Sequence, residues 1–391
     1  MLKYSVMTRI AFIHNRFPAG GAERITIDVA DYLHSLGGDF EVYVYACRID
    51  PSFRKESLTV RKTASKKKER SKEIERLIAT DRIDIIVQVT SALYDIDGIR
   101  RRTGCRTVLA NHGEPFWQRY QIVNRRTNTP FKRLLWRLYN RKRYLDNNLA
   151  MEMAVNRSLK QYNSCDAYTV LCNAYKEQTE KAFGISESRS HVYVIENPES
   201  EVKEINWKKD NLILFCGRLE QWTKRIDRLL RIWSEVQHTL KDWRLAIVGD
   251  GPAGDELKRL AESLKLERIS FEGNQADPSK YYRKASIVCL TSQTEGWPLA
   301  LTEAQAHGCI AMAFGCTEGI KEILGPDGTN GIIVQPFDEI QYAERLIETA
   351  EMPEDEKMRI RRNALRKRLE YRPELIAEKW RLLFVELMKR G

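Results

Sequence analysis

A length of 391 residues exceeds what one hydrophobic core usually organises, so it predicts two domains. A hydrophobic content of 42%, with no apolar run long enough for a signal peptide or a membrane span, excludes an integral membrane protein and indicates a cytoplasmic one. The net charge of +11 arises in the first half, where residues 1–195 carry 34 Lys and Arg against 21 Asp and Glu, which predicts that this half meets an anionic surface.

The first half alternates short β-branched runs with helical patterns. Predicted strands are RIAFIHN (9–15), FEVYVYA (40–46), IDIIVQV (83–89), RTVLAN (106–111), AYTVLC (167–172) and HVYVIEN (191–197). A Gly-Gly turn follows the first strand, and the spacing of Ile25, Val29 and Leu33 then predicts a helix. Such βα units form a parallel sheet with helices on both faces.

The second half repeats the scheme. Its predicted strands are NLILFCG (211–217), WRLAIVG (243–249), ISFEG (269–273) and SIVCLTS (286–292). We therefore predict an α/β protein of two doubly wound, Rossmann-like domains, at residues 1–198 and 199–370, with a C-terminal helix at 371–391 packing back toward the first domain. The ligand is expected in the cleft between the domains, at the carboxyl ends of the strands.

The cysteines indicate no metal site. None of the eight forms a Cys-x-x-Cys pair or has histidines at zinc-site spacing, and most lie within apolar runs. We expect reduced core residues.

The first βα turn, FPAGGAER (17–24), is rich in glycine. Two glycines let the backbone approach a ligand closely, and the N–H groups at the helix start favour an anion such as a phosphate. A turn that is glycine-rich for steric reasons alone is the alternative.

Two cations follow the first strand of the second half. In GRLEQWTKRIDRLL (217–230), Arg218 stands at the strand end, and Lys224 is expected to open the next helix. An arginine fork and a lysine point charge together suit a diphosphate. A solvated basic turn would also explain them.

The stretch TEGWPLALTEAQAHG (294–308) sets Glu295 and Glu303 on either side of a Gly-Trp-Pro turn. Pro298 suits the first turn of a helix that runs to about His307. Five helical residues rise about 7.5 Å, whereas a retaining glycosidase pair needs carboxylates roughly 5–5.5 Å apart. The two glutamates are therefore expected to contact different parts of one extended ligand, although a glutamate at a helix start or facing water is the plain alternative.

The ordered motifs GGAER, GRL…K, VGDGP…L and EGWPLALTEAQAHG resemble those of the GT-B glycosyltransferases of family 4, over nearly the whole chain. The resemblance implies that Glu303 accepts hydrogen bonds from the nucleotide ribose and that Glu295 contacts the transferred sugar. Arg218 and Lys224 would hold the diphosphate and stabilise its leaving charge. His112, in ANHGEP, would lie by the donor sugar.

The resemblance also assigns backbone positions. Gly20 and Gly21, beside Arg24, would approach the diphosphate or the acceptor. Further donor-binding positions would be Gly249, Gly251, Gly273, Asn274, Gly296, Trp297, Pro298 and Leu299. Three departures from the family pattern, at Arg225 after the lysine, at Pro198 in the linker and at Trp297-Pro298, leave the donor sugar open.

The family transfers sugar with retention of anomeric configuration, by a front-face route, usually without a metal; no cofactor is expected. The resemblance implies a nucleotide-diphosphate sugar as donor, with UDP favoured, and a glycan or lipid-linked acceptor in the synthesis of bacterial surface polysaccharide or lipopolysaccharide. A GT-B-like phosphorylase would share the fold, but that class normally has a pyridoxal phosphate lysine and a longer chain.

A basic segment, residues 116–143, contains nine Lys and Arg and no Asp or Glu. In a helix from Pro130 to about residue 145, an apolar stripe would consist of Phe131, Leu134, Leu135 and Leu138. Such a basic amphipathic helix suits an anionic membrane surface, so peripheral attachment to the inner face of the cell membrane is expected. A helix packed on its own domain is the alternative.

A binding protein without transferase activity, on a degenerate GT-B scaffold, is the rival from another class. It would bind nucleic acid or membrane through the same basic charge. No nucleic-acid recognition motif accompanies that charge, so no nucleic acid is expected as a partner.

Overall fold

The computed structural model describes residues 7–18, 21–89, 95–127, 129–146, 148–199, 202 and 204–390. It divides into two compact units, and each is built on its own parallel sheet. Unit 1 contains residues 1–196 and 376–391, and unit 2 contains residues 197–375.

Unit 1 has a seven-stranded sheet. Its strands are β1 (Thr8–Phe17), β2 (Phe40–Ile49), β3 (Thr59–Lys62), β4 (Ile85–Val89), β5 (Arg106–Ala110), β6 (Ala167–Val170) and β7 (Val192–Val194). They lie in the order β3-β2-β1-β4-β5-β6-β7, and every pair is parallel. Its helices are α1 (Gly21–Ser35), α2 (Lys67–Asp81), α3 (Ile96–Thr103), α4 (Gln118–Thr127), α5 (Pro130–Leu135), α6 (Leu149–Tyr162) and α7 (Asn173–Phe183).

Unit 2 has a six-stranded parallel sheet. Its strands are β8 (Asp210–Cys216), β9 (Arg244–Val248), β10 (Ile269–Gly273), β11 (Ala285–Leu290), β12 (Ile310–Phe314) and β13 (Ile332–Val334), in the order β10-β9-β8-β11-β12-β13. Its helices are α8 (Ile226–Val236), α9 (Gly254–Ser263), α10 (Ser279–Lys284), α11 (Leu299–Ala306), α12 (Glu318–Leu324), α13 (Glu339–Glu351) and α14 (Glu354–Lys367). The last helix is α15 (Pro373–Lys389), and its residues from Ile376 onward belong to unit 1.

Strand β1 shows why unit 1 needs helices on both faces of its sheet. Successive side chains of a strand point to opposite faces. Ile10 and Phe12 pack in one core cluster, whereas Ala11 and Ile13 pack in another. All four side chains are buried, so the predicted doubly wound architecture is confirmed.

Helix α15 completes the first of these clusters. The ring of Trp380 lies 6.1 Å from that of Phe12, and Phe384 lies 6.4 Å from it. These aromatic pairs bury the C-terminal helix against strand β1.

Strands β12 and β13 were not predicted, and strand β3 was not predicted either. Strand β3 comprises four residues at the edge of the sheet, and three of them are exposed. Its sequence, TVRK, therefore lacks the apolar alternation by which a strand is found.

The basic segment differs from the expected single helix. Thr129 caps α5, because its hydroxyl accepts a hydrogen bond from the backbone N–H of Lys132 at 3.3 Å. The α-helical pattern ends at Leu135, and two π-helical turns, Trp136–Asn140 and Lys142–Asp146, follow. Within the described part of the chain, no helix has the length and apolarity that crossing a membrane requires.

Candidate functional site

Lys224 and Glu295 are joined at the carboxyl end of the sheet of unit 2. Lys224 lies in the loop between β8 and α8, and Glu295 lies in the loop between β11 and α11. The ammonium group of Lys224 donates to Oε1 of Glu295 at 2.7 Å. Ser292 donates its hydroxyl to the same oxygen at 2.6 Å. Because the Glu295 side chain is only 10% exposed, these two donors fix it within the loop.

The backbone before α8 places Lys224 outside the helix. Arg225 adopts a left-handed conformation with φ of 47°, which the helix cannot continue through, so α8 begins at Ile226. The expectation that Lys224 opens the helix is wrong by two residues. The loop position leaves its side chain to reach across to Glu295.

Glu303 has different neighbours from Glu295. It lies on α11 near the buried hydroxyl of Tyr282 and the thiol of Cys216, the last residue of β8. Burial raises the pKa of Tyr282 well above its ordinary value, and the charge of Glu303 raises it further. Burial likewise raises the pKa of Cys216 to about 11, while the charges of Glu303 and Lys224 act on it in opposite directions. Cys216 therefore lies within electrostatic range of both Lys224 and Glu303.

The turn between the two glutamates is largely buried. Trp297 is buried, and its ring packs edge-on against Tyr371 with 5.0 Å between ring centroids. Pro298 is extended and immediately precedes α11, which begins at Leu299 rather than at the proline. Gly296, also predicted to bind the donor, is half-buried in the same loop.

Gly249 and Gly251 are required by packing between loops. A Cβ on Gly249 would stand 1.9 Å from the carbonyl oxygen of Gly217, and one on Gly251 would stand 2.4 Å from that of Leu219. Leu219 donates its backbone N–H to Asp250, at 3.0 Å, and its carbonyl accepts from Ala253 at 3.1 Å. Only glycine permits this approach, which holds the loops after β8 and β9 together.

The remaining predicted residues of unit 2 are exposed. Arg218 lies in solvent at the start of the loop after β8. Gly273 ends β10 with φ of 66°, and Asn274 follows it, also exposed. All three stand at carboxyl ends of parallel strands, as expected for a ligand-binding edge.

Unit 1 contributes a separate group. His112 follows β5, and its charge acts on the carboxylate of Glu23. Gly21 begins α1, and Arg24 is exposed in the first turn of that helix. Gly20 lies outside the described residues.

Sequence reasoning overlooked Ser292 and Tyr282. Ser292 is buried three residues before Glu295, at a spacing that a loop can close into a hydrogen bond. Tyr282 stacks on His307, with ring centroids 5.5 Å apart, although they are 25 residues apart in the sequence. The first could have been found from its position next to the motif, whereas nothing in the sequence indicated the second.

Known families match both units. The family described as Glycosyltransferase Family 4 matches residues 19–198, and that described as Glycosyl transferases group 1 matches residues 197–367. The two matched segments join with little overlap and span most of the chain.

Individual relatives agree with these matches. An uncharacterised glycosyltransferase of Haemophilus influenzae is 28% identical over 80% of this chain and 82% of its own length. An α-1,4-N-acetyl-D-galactosaminyltransferase of Campylobacter jejuni, named for an undecaprenol-diphosphate-linked acceptor, is 24% identical over 97% of this chain and 99% of its own. The crystal structure of Anabaena HepE with UDP superposes with a TM-score of 0.73 over 97% of this chain and all of its own, at 15% identity.

Two parallel α/β units and family matches that cover both halves of the chain therefore agree. The chain belongs to the family 4 glycosyltransferases and has the GT-B fold.

Proposed function

We propose that this glycosyltransferase moves a sugar, with retention of anomeric configuration, from a nucleotide-diphosphate sugar to a glycan or lipid-linked acceptor. The observation that carries the proposal is the ion pair between Lys224 and Glu295 at the carboxyl edge of the unit 2 sheet. A cation in this place suits a leaving diphosphate, because charge develops there as the sugar departs.

The two glutamates divide the donor between them. Glu303 accepts hydrogen bonds from ribose hydroxyls, a task for which an ionised carboxylate has acceptor sites on both oxygens. Glu295 contacts the transferred sugar and holds Lys224 beside the diphosphate. Glu303 lies near Tyr282, whereas Glu295 is bonded to Ser292, and these different neighbours support separate roles for the two glutamates.

Transfer proceeds on one face of the sugar. The bond from the anomeric carbon to the phosphate oxygen breaks, the acceptor oxygen forms its bond on the same face, and its proton passes to the departing phosphate. Lys224 and Arg218 stabilise the negative charge on that phosphate, so we propose that the enzyme needs no metal. The rate enhancement then comes from positioning and electrostatics.

The relatives support UDP as the nucleotide of the donor and polysaccharide synthesis as the process. HepE is known with UDP, which makes UDP the favoured nucleotide here. Relatives include an amylovoran biosynthesis enzyme of Erwinia amylovora and a lipopolysaccharide 1,6-galactosyltransferase of Escherichia coli. We propose that this chain likewise acts in the synthesis of a bacterial cell-surface polysaccharide.

A thermal-shift screen tests the donor site. With UDP, GDP and ADP and their sugars, in the presence of EDTA, we expect one nucleotide to raise the melting temperature, because it binds the folded state alone. Saturation at 100 times Kd would stabilise the protein by about 2.7 kcal/mol. The absence of a shift with every nucleotide would contradict the proposal, whereas a shift that requires Mg²⁺ would contradict metal independence.

A membrane surface is proposed as the place of action. The side chains of Phe131, Leu134, Leu138 and Tyr139 are exposed, Phe131 by 69%. The segment is held to unit 1 by its other face, where Trp136 and Tyr144 pack with Ala150. Exposed basic residues on the same segment are Lys132, Arg133, Arg137, Arg141, Lys142 and Arg143. An apolar face beside so many cations supports binding to anionic lipids at the inner face of the membrane.

Liposome flotation tests this attachment. We expect the protein to float with vesicles of phosphatidylglycerol and phosphatidylethanolamine and to stay behind with pure phosphatidylcholine. The combined change Phe131→Ser, Leu134→Ser and Leu138→Ser should abolish flotation while the nucleotide-induced melting shift persists. Leu382→Ser, at an exposed leucine of α15, is the matched control. Equal recovery with both lipids would contradict the proposal.

A further inference from the structure

A second polar cluster lies at the carboxyl end of β1, in unit 1. His14 is buried within this strand, and its ring nitrogen Nε2 lies 2.9 Å from the hydroxyl oxygen of Thr26. Its Nδ1 lies 3.5 Å from Oε1 of Glu23, in the first turn of α1. The cluster therefore links strand and helix through a histidine held at both nitrogens.

The chemistry of the partners fixes the direction of these contacts. An ionised carboxylate only accepts hydrogen bonds, so Nδ1 carries a proton and donates it toward Glu23. The guanidinium group of Arg70 donates hydrogen bonds to the same strand end. One goes to the carbonyl oxygen of His14 and the other, at 2.7 Å, to Oδ1 of Asn15. The ring of Phe17 lies 5.3 Å from that of His14. The His14 ring is therefore held beside Glu23 by contacts with Thr26 and Phe17.

Glu23 is kept ionised although it is partly buried. Its side chain is 18% exposed. Burial by itself raises the pKa of Glu23, but the hydrogen bonds from His14 and from its own backbone N–H, with the charges of His14 and His112, outweigh it and lower the pKa. A carboxylate with histidines as its charge partners, at the ligand edge of a parallel sheet, is suited to accept hydrogen bonds from a ligand.

The charge of Glu23 also selects the kind of ligand. The N–H groups at the start of a helix favour an anion, but here the first turn already contains a negative side chain. A phosphate bound at the same turn would be repelled by it. A neutral polyol suits the turn better, because its hydroxyls donate to the carboxylate.

We propose that Glu23 binds a hydroxyl group of the sugar acceptor and that His14 is the positioning residue that holds Glu23 for this contact. The inference rests on the proposed function and deepens it, because it assigns the first turn of α1 to the acceptor rather than to the donor diphosphate. Thr26 contacts the other ring nitrogen of His14, Nε2, and so helps to hold the ring in this orientation.

Saturation-transfer difference NMR tests the assignment without relying on turnover. The probes are methyl glycosides of glucose, galactose, N-acetylglucosamine and N-acetylgalactosamine, each added to the full chain with UDP present. We expect at least one glycoside to bind the wild-type protein and its affinity to fall about tenfold or more in Glu23→Gln, because a hydrogen bond to a charged group is lost. His14→Phe, which keeps an aromatic ring beside Phe17, should weaken the same glycoside to a smaller extent.

Asp31→Asn is the matched control, because Asp31 is a carboxylate on the same helix whose ion pair, with Lys55 at 2.7 Å, lies away from the cluster. The melting shift caused by UDP should be the same in all these proteins. Unchanged glycoside affinity in Glu23→Gln, or no glycoside binding to the wild type, would overturn the inference while leaving the donor site standing. Loss of UDP binding together with glycoside binding in Glu23→Gln would show a purely structural role and overturn it too. If wild-type protein showed no melting shift with any nucleotide, the proposed function itself would fail, and the inference with it.

Discussion

Replacing Lys224 with methionine is expected to lower kcat for sugar transfer by about two to three orders of magnitude, with a much smaller change in stability. Methionine keeps the length of the side chain but removes the charge that faces the leaving diphosphate. Removing one preorganised electrostatic donor costs other enzymes about 2.7–4 kcal/mol of transition-state stabilisation. The measurement is the rate of nucleoside diphosphate release with saturating donor and acceptor.

Two companion variants make the Lys224 result interpretable. Lys321→Met removes another lysine of unit 2, which pairs with Glu318 at 2.8 Å on the surface, and should leave kcat unchanged. Glu295→Gln should lower kcat, because the contact with the transferred sugar is weakened, but leave the affinity for the nucleotide equal or higher, because the charge of Lys224 is no longer partly neutralised by a carboxylate. Wild-type turnover in Lys224→Met would remove this lysine from the mechanism.

Replacing Glu303 with glutamine is expected to weaken binding of the donor nucleotide roughly 10- to 100-fold, with kcat at saturating donor little changed. A hydrogen bond to a charged group contributes about 1.5–3 kcal/mol, and the ribose hydroxyls lose such an acceptor. Isothermal titration with UDP, or with whichever nucleotide gives the melting shift, measures the loss directly.

The control for Glu303 is Glu262→Gln, an exposed carboxylate on α9 of the same unit. Its nucleotide affinity should equal that of the wild type. Should Glu303→Gln bind the nucleotide as tightly as Glu262→Gln does, Glu303 does not bind the ribose. A decrease in kcat without a decrease in affinity would assign it to the sugar instead.

The fold could be predicted from the sequence for most of the strands that are buried on both faces, although β12, which is buried throughout, was missed. Runs such as IDIIVQV and SIVCLTS are mostly apolar, because helices cover the sheet on each side. The edge strand β3 has no such pattern and was missed. The segment after Pro130 was predicted as a regular helix, since hydrophobic spacing does not distinguish an α-helix from a wider π-turn.

The sequence indicated which residues to consider for the candidate site, but it did not indicate which of them contact one another. Glu295, Glu303 and Lys224 were found from motif order, but the bond between Lys224 and Glu295 joins residues 71 positions apart. His14 was read as one residue of an apolar strand, and Glu23 as part of a glycine turn. Only the three-dimensional structure brings an imidazole and a carboxylate together at that strand end.

The placement of helix α15 has a consequence for how the protein is made. Phe12 and Trp380 touch although 368 positions separate them, so part of the apolar face of the first sheet stays exposed until α15 has been synthesised. Unit 2, residues 197–375, is one contiguous segment, so it is synthesised before the part of α15 that belongs to unit 1. The cluster that α15 completes also contains Ile25, Val29 and Leu33 of α1, so a chain without α15 would leave this face of the first sheet only partly covered.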